Sequence, residues 1–255
     1  MEKNLSVSVA MATFNGEKYV AQQIESILVQ LAPTDELVIS DDGSTDDTLT
    51  VLRKFAHEDR RVKFLQGSNL GIVKNFERAI RVCKGDLILL SDQDDVWMPN
   101  KVKVIREYFE EDNNLILVMS DLEIVDMNLR TVNESYVKMR GCSTGVVRNL
   151  IRNSYVGCGL AYRRELNKIV LPFPKGVPMH DWWIGILAEM FGEAKIVEER
   201  LVLYRRTEEN ATSLYSKVPL IKKVIWRMNM LCLVLMRVIS VKRMRGDESE
   251  TTQAI

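Results

Sequence analysis

Histidine, paired cysteines and long apolar runs are scarce in this 255-residue chain. The four cysteines, Cys83, Cys142, Cys158 and Cys232, form no C-x-x-C pair. Together with only two histidines, they suggest neither a disulfide scaffold nor a zinc site and fit a reducing compartment. Neither charge sign prevails, since 35 Lys and Arg stand against 35 Asp and Glu, which argues against nucleic acid as a partner. No stretch reaches roughly 18 uninterrupted apolar residues, so no conventional membrane span is expected. Met1-Glu2-Lys3-Asn4 leads straight into a strand-like run without a secretory h-region. Neither G-x-x-x-x-G-K-[ST] nor, after the first strand, G-x-G-x-x-G is present. A bound diphosphate would therefore rely on a metal and side chains rather than a glycine-rich cradle.

With 46% hydrophobic and 27% charged residues, the chain can bury a substantial core and is not globally disordered. Short β-branched or aliphatic runs at 5–11, 36–40, 61–66 and 86–91 alternate with helical stripes. One such stripe is Val20, Ile24, Ile27, Leu28 and Leu31; another is Val73, Phe76, Ala79, Ile80 and Cys83. Asp46 is placed to cap the helix carrying Leu49, Leu52, Phe55 and Ala56. This alternation predicts an α/β fold with a mostly parallel central sheet flanked by helices, in which ligands collect at the carboxyl ends of the strands.

Three of those ends carry the polar chemistry: Thr13-Phe14-Asn15, Asp41-Asp42 and Asp92-Gln93-Asp94. After the apolar run 87–90, Asp92, Asp94 and Asp95 crowd three carboxylates into four positions. Such a group is either a hard-metal site or a solvated turn. Its alignment with two other polar strand ends favours the metal site.

The segments Ser8-Val9-Ala10-Met11-Ala12-Thr13-Phe14-Asn15-Gly16, Ser40-Asp41-Asp42-Gly43-Ser44-Thr45-Asp46 and Ser91-Asp92-Gln93-Asp94-Asp95 resemble the family 2 glycosyltransferases of GT-A fold. Order and spacing match over nearly all of the first hundred residues. The variant Ser-Asp-Gln-Asp-Asp-Val-Trp is most similar to bacterial rhamnosyltransferases of surface-polysaccharide assembly. The resemblance implies a Rossmann-like sheet. Thr13, Asn15 and Glu17 would line the nucleoside pocket, Asp41 and Asp42 would contact base and ribose, and Lys74 would approach the nucleotide. Asp92 and Asp94 would form the Asp-x-Asp pair for Mn2+ or Mg2+, with Asp94 the direct ligand and Asp95 only capping the turn into Trp97.

In the second half, 130–148 reads as a polar, irregular loop. The strand at 154–162 carries Gly157, Cys158 and Gly159, which face the acceptor if the resemblance holds and otherwise serve tight packing. Asp181 begins a helix, so capping alone explains it. Beside His180, Trp182 and Trp183 it also suits a sugar-binding wall with a desolvated, more basic carboxylate. The family places its general base there. Family members often carry a histidine near Thr207; in its absence Arg205 or Arg206 would neutralise phosphate.

These readings divide the chain into a nucleotide-sugar half (1–112), an acceptor and catalytic half (113–213), a basic amphipathic helical extension (214–246) and a disordered tail (247–255). Residues 217–245 hold eight basic and no acidic side chains among apolar ones. That pattern suits a helix packed on the domain or a homodimer partner, or one lying on anionic lipid with Trp226 at the headgroups. The implied activity is inverting transfer from dTDP-rhamnose, or a UDP-hexose such as UDP-glucose or UDP-galactose, to a lipid-linked saccharide. It would act at the cytoplasmic face of the bacterial membrane. The rivals are a catalytically silent nucleotide-sugar-binding protein and a nucleotidyltransferase, although the latter would need a Gly/Arg-rich loop where Thr13-Phe14-Asn15-Gly16 stands.

Overall fold

The computed structural model describes residues 5–206 and 219–253, and their side chains apart from those of 220 and 244–253. The described elements begin with β1 (Val7–Thr13), α1 (Val20–Leu28), β2 (Glu36–Asp41), α2 (Thr48–Glu58), β3 (Val62–Gln66), α3 (Ile72–Val82), β4 (Leu87–Ser91), β5 (Val96–Trp97) and α4 (Lys101–Glu111). They continue with β6 (Leu115–Val125), β7 (Thr131–Asn133), α5 (Tyr136–Arg140), α6 (Val146–Ile151), β8 (Leu160–Arg163), α7 (Asn167–Val170), α8 (His180–Phe191), β9 (Glu193–Arg205) and α9 (Leu220–Gln253).

All described strands join one sheet in the order β3-β2-β1-β4-β8-β6-β9-β5, with β7 on β6. The strands β3, β2, β1 and β4 run parallel, whereas β8 is antiparallel to both β4 and β6. Every residue of β1, β2 and β4 is buried. Helices cover both faces there, which explains why these strands read as continuous apolar runs rather than as alternation. The register sets Thr13 beside Asp41 and Met11 beside Ser91, so the three polar strand ends do open on one edge. Because β4 pairs with β8, the boundary expected near residue 112 is crossed by a continuous sheet.

Three expectations are corrected. The polar stretch 130–148 is ordered into β7, α5 and the start of α6. Ser135 Oγ accepts the Lys138 N–H and Gly141 ends α5 at φ 58°, so this segment is capped at both ends. The strand expected over 154–162 is a 3-10 turn, Gly157–Gly159, followed by the shorter β8. The tail expected to be disordered continues α9 as far as Gln253; residues 254–255 lie outside the described set. The segment Ile221–Arg243 is long and apolar enough to cross a membrane by length and composition alone. Its interspersed basic residues hid that from a search for an unbroken run.

Candidate active site at the carboxyl edge of the sheet

The loops after β1 and β2 are locked to each other by side chains expected to meet a nucleoside. Asp41 Oδ2 accepts from Thr13 Oγ1 (3.0 Å) and Ser44 Oγ (2.5 Å), and Oδ1 accepts the N–H groups of Gly43 and Ser44. A carboxylate offers about four acceptor positions, so those of Asp41 are filled by its own loop and by Thr13 of β1. Asp42 accepts one N–H on each oxygen, from Leu70 and Gly71, and keeps acceptor capacity. Asn15, at φ 48°, accepts the Thr45 N–H, and Glu17 accepts the Asp47 N–H. Asp46 Oδ1 accepts from the Thr48 N–H and hydroxyl, but the cap position of α2 falls to Asp47, whose side chain makes no capping bond, so the expected cap by Asp46 is corrected by one residue. Lys74 does not reach toward this pocket, since its ammonium pairs with Glu77 and donates to the Phe173 carbonyl.

Gln93 ties the first loop to the acid cluster. Its amide oxygen accepts the Phe14 N–H (2.8 Å) and its amide nitrogen donates to the Phe14 carbonyl (2.9 Å). A Cβ on Gly16 would lie 2.4 Å from the Gln93 amide oxygen, so glycine is what lets the clamp close.

Asp92 and Asp94 are half-buried, and Asp95 is fully buried. Burial, then the charges of Asp94 and Asp181, push Asp92 up to about 7. Burial also raises Asp94, against the lowering charges of Arg205 and Arg206. Asp95 stands well above the ordinary carboxylate range through burial, then through Asp94 and Asp92. Asp95 is not merely a cap for Trp97: its Oδ1 accepts the Arg205 N–H at 3.0 Å. Ligand atoms of Asp92, Asp95 and Cys158 lie within 4.8 Å of one another, a group that does not include Asp94, the direct ligand expected from the sequence. Burial holds Cys158 protonated, well above its usual range, so the thiol is no anionic ligand. Crowded oxygen donors whose ionisation the fold resists fit a hard divalent cation, with the Cys158 thiol also bonding the Asp95 carboxylate.

Asp181 lies in the first turn of α8, with Met179 rather than Asp181 at the cap position. Its Oδ1 accepts the Trp182 N–H (2.6 Å), and the Gly157 backbone N–H also bonds its carboxylate. Burial outweighs these bonds and pushes its pKa up to about 6. His180 stacks on Phe76 with ring centroids 3.9 Å apart. Burial drops His180 to about 3, and neither ring nitrogen has a hydrogen-bond partner, so it is a neutral packing group.

The expected aromatic sugar wall is corrected. Trp183 is fully buried and donates to the Val170 carbonyl, and Trp182 is 7% exposed and donates to Asn149. The glycines of the 3-10 turn answer to packing. A Cβ on Gly157 would come 2.9 Å from His180 Nε2, and one on Gly159 would come 2.9 Å from the Ser120 carbonyl.

Arg205 is also scaffold. Its side chain donates to the Asp94 and Met127 carbonyls and to Gln22, and it stacks over Tyr19. Arg206 lies over the Tyr204 ring, and its charge acts on Asp92 and Asp94. Thr207 lies outside the described residues.

Residues 8–170 match the family described as Glycosyl transferase family 2. The chain belongs to that family. It is 30% identical over 212 residues to an uncharacterized glycosyltransferase of Nostoc sp., covering 79% of this chain and 65% of that protein. It is 33% identical over 130 residues to chondroitin synthase of Escherichia coli, covering 51% of this chain and 19% of that one. The chain thus spans less than two-thirds of the length of these relatives. S. aureus TarS, solved in complex with UDP-GlcNAc, aligns with a TM-score of 0.66 at 20% identity, over 95% of this chain and 75% of that one. The mannosyltransferase PcManGT from Pyrobaculum calidifontis, solved with GDP-Man and Mn2+, aligns at 0.62 and 18% identity, over 82% and 59%. At such identities the likeness shows the fold, which is GT-A.

Sequence reasoning missed one charged member of this family 2 site. Lys101, at the start of α4, is fully buried; its ammonium donates to the Cys158 carbonyl at 2.7 Å and sits 4.2 Å from the Trp97 ring centroid. Burial lowers its pKa to about 8, while Cys158, Asp95 and Asp92 favour its charge. A lysine opening a helix reads as a solvated surface group; only the fold brings it beneath the acids.

Proposed function

We propose that this family 2 chain transfers a sugar from a nucleoside-diphosphate donor to an acceptor hydroxyl, with inversion at the anomeric carbon. The observation that carries the reading is Asp181, a buried carboxylate tuned to about 6 and close enough to the acid cluster to raise Asp92. A base of that strength is mostly ionised at neutral pH yet basic enough to accept a proton from a hydroxyl under attack. Asp42 takes the base or ribose contact, because it keeps free acceptor positions where Asp41 has none. Thr13 and Asn15 shape that pocket through the loops they hold. Asp92 and Asp94 hold Mn2+ or Mg2+, which when bound offsets the charge of the leaving diphosphate. Arg206 supplies further positive charge on the same side. Gly157 orients Asp181 by its N–H.

The leading donor is dTDP-rhamnose, a reading that rests on the Ser-Asp-Gln-Asp-Asp-Val-Trp segment; UDP-glucose and UDP-galactose are the alternatives. The acceptor is placed as a lipid-linked saccharide of surface-polysaccharide assembly, met at the cytoplasmic face of the membrane. The similarity to chondroitin synthase supports a polysaccharide-building context.

The test is hydrolysis and transfer across a panel of nucleotide sugars with Mn2+. Asp181→Asn is expected to bind donor nearly as the parent does and to lose about 10²- to 10⁴-fold in turnover. Near-parental turnover by this variant would remove the base assignment. No turnover of any donor by the parent would leave a binding protein.

A further inference from the structure

The outer face of α9 carries a second apolar stripe that the domain does not use. Ile221, Ile225, Met228, Leu235 and Ile239 are each more than half exposed, and exposed Cys232 continues their line. The spacing of these six positions alternates four and three residues. That keeps them on one side of the helix over about 27 Å. Met230, Leu233, Val234 and Val241 are buried on the opposite side, where α9 packs on α6 and α8.

Polar contacts fix this orientation. Arg237 donates to the carbonyls of Ile169, Leu171 and Pro172, and its guanidinium lies 5.4 Å from the Trp183 ring centroid. Arg227 donates to the Ile151 carbonyl and Asn229 to that of Gly176. These contacts hold one side of the helix to the domain, although its length and composition would also allow it to cross a bilayer. It lies along the flank, with a long apolar stripe facing outward. Trp226 is not at the outer rim, because it packs against the core.

Charge selects the occupant. Over the stripe, from 219 to 245, there is no Asp or Glu; the acids of α9, Asp247, Glu248 and Glu250, lie beyond it. Lys222, Lys223 and Arg227 gather at one end of the stripe, and Lys242 and Arg243 at the other. Two such helices laid together, parallel or antiparallel, would bring basic ends onto basic ends or basic flanks, with no acid on the segment to answer them. An anionic lipid leaflet answers both features, taking the apolar stripe at the acyl boundary and the basic ends at the headgroups.

We propose that α9 is an interfacial membrane anchor, docked through the face centred on Met228 and Leu235, that seats the α8 side of the domain on anionic lipid. Its use for presenting a lipid-linked acceptor rests on the transfer reading above, whereas lipid binding itself does not.

The experiment mixes the full chain with vesicles of phosphatidylcholine alone, and with vesicles containing about one-third phosphatidylglycerol, followed by sedimentation. Hydrolysis of the best donor in solution, and mass by light scattering, are measured in parallel. The parent is expected to sediment with the anionic vesicles, less so at high salt, and hardly with the neutral ones. The double variant Met228→Glu, Leu235→Glu is expected to bind at least about tenfold more weakly while staying folded and hydrolysing donor as before. Failure of the parent to bind anionic vesicles, or equal binding by the variant, overturns the proposal. So does a parent of two-chain mass that the double variant converts to one chain, which would assign the stripe to a second copy. Loss of donor hydrolysis in the parent would count against the transfer reading only, because lipid binding is scored separately.

Discussion

Lys101 shows how one residue can set the electrostatics of the site without touching a ligand. Its ammonium is the cation fixed between the Cys158 carbonyl and the Asp92 and Asp95 charges. Removing one partner of a buried charged group typically costs about 3–5 kcal/mol, because the remaining charges stay buried and less opposed. Lys101→Met is therefore expected to lower stability at pH 7.5, by less than that figure because burial already lowers the pKa of the ammonium to about 8. At pH 5 the loss is smaller, because the raised acids then take up protons and no longer need an opposing charge. Thermal denaturation at the two pH values checks this, and equal losses would mean that the methionine only packs poorly. The same residue marks a limit of sequence reading. Asp92, Asp94 and Asp181 were legible as chemistry because carboxylates crowd or neighbour aromatic residues. Whether a lysine, an arginine or a tryptophan near them faces the site or the scaffold depends on contacts made from distant elements. Lys101 turned inward, Arg205 turned to carbonyls and Trp183 went wholly into the core for that reason.

At the scale of elements, α8 carries the proposed base and is buried on nearly all sides. Gly185 in its middle is a helix-weakening residue in isolation, where alanine would gain about 1 kcal/mol. Here a Cβ would fall 2.1 Å from Tyr155 Cδ2 and 2.4 Å from Cγ, against a ring held by its hydroxyl on Glu189 at 2.6 Å. Overpacking against a fixed ring costs about 1–3 kcal/mol, so the steric loss outweighs the propensity gain. Gly185→Ala is expected to lower the denaturation midpoint without changing the urea m-value. A rise in midpoint would show that propensity governs this helix. The first four strands and three helices were legible because hydrophobic period and turn residues agreed. The ordered segment 131–151 was not, and of the 13-residue β9 only the apolar end from Leu201 reads as strand. In β9 the run Glu193-Ala-Lys-Ile-Val-Glu-Glu-Arg mixes charge into a strand whose length is set by pairing with β6.

For the whole molecule, the acid cluster makes stability depend on pH in a direction opposite to that of a salt-bridged carboxylate. In the folded chain Asp181 keeps its proton up to about pH 6 and Asp92 up to about pH 7, whereas unfolded aspartates lose theirs near pH 4. Between those values these carboxylates hold more protons in the folded state than in the unfolded one, so their contribution to stability falls as pH rises from about 4 through 7, offset only in part by buried His180, whose lowered pKa works the opposite way. A shift of about two pH units on one fully buried carboxylate amounts to roughly 3 kcal/mol at most. A divalent cation among Asp92 and Asp94 favours their ionised forms and offsets that loss only where protons have left. With EDTA, the melting temperature is therefore expected to be lower at pH 7.5 than at pH 5. Near-saturating Mn2+ should raise it at pH 7.5 by roughly 5 °C, with little change at pH 5. Asp92→Asn with Asp94→Asn should abolish the Mn2+ response and raise the metal-free melting temperature at pH 7.5, because two crowded charges are gone. An unchanged melting temperature with Mn2+ at pH 7.5 would separate the acid cluster from metal binding, leaving Lys101 and Arg206 as the charges that balance it.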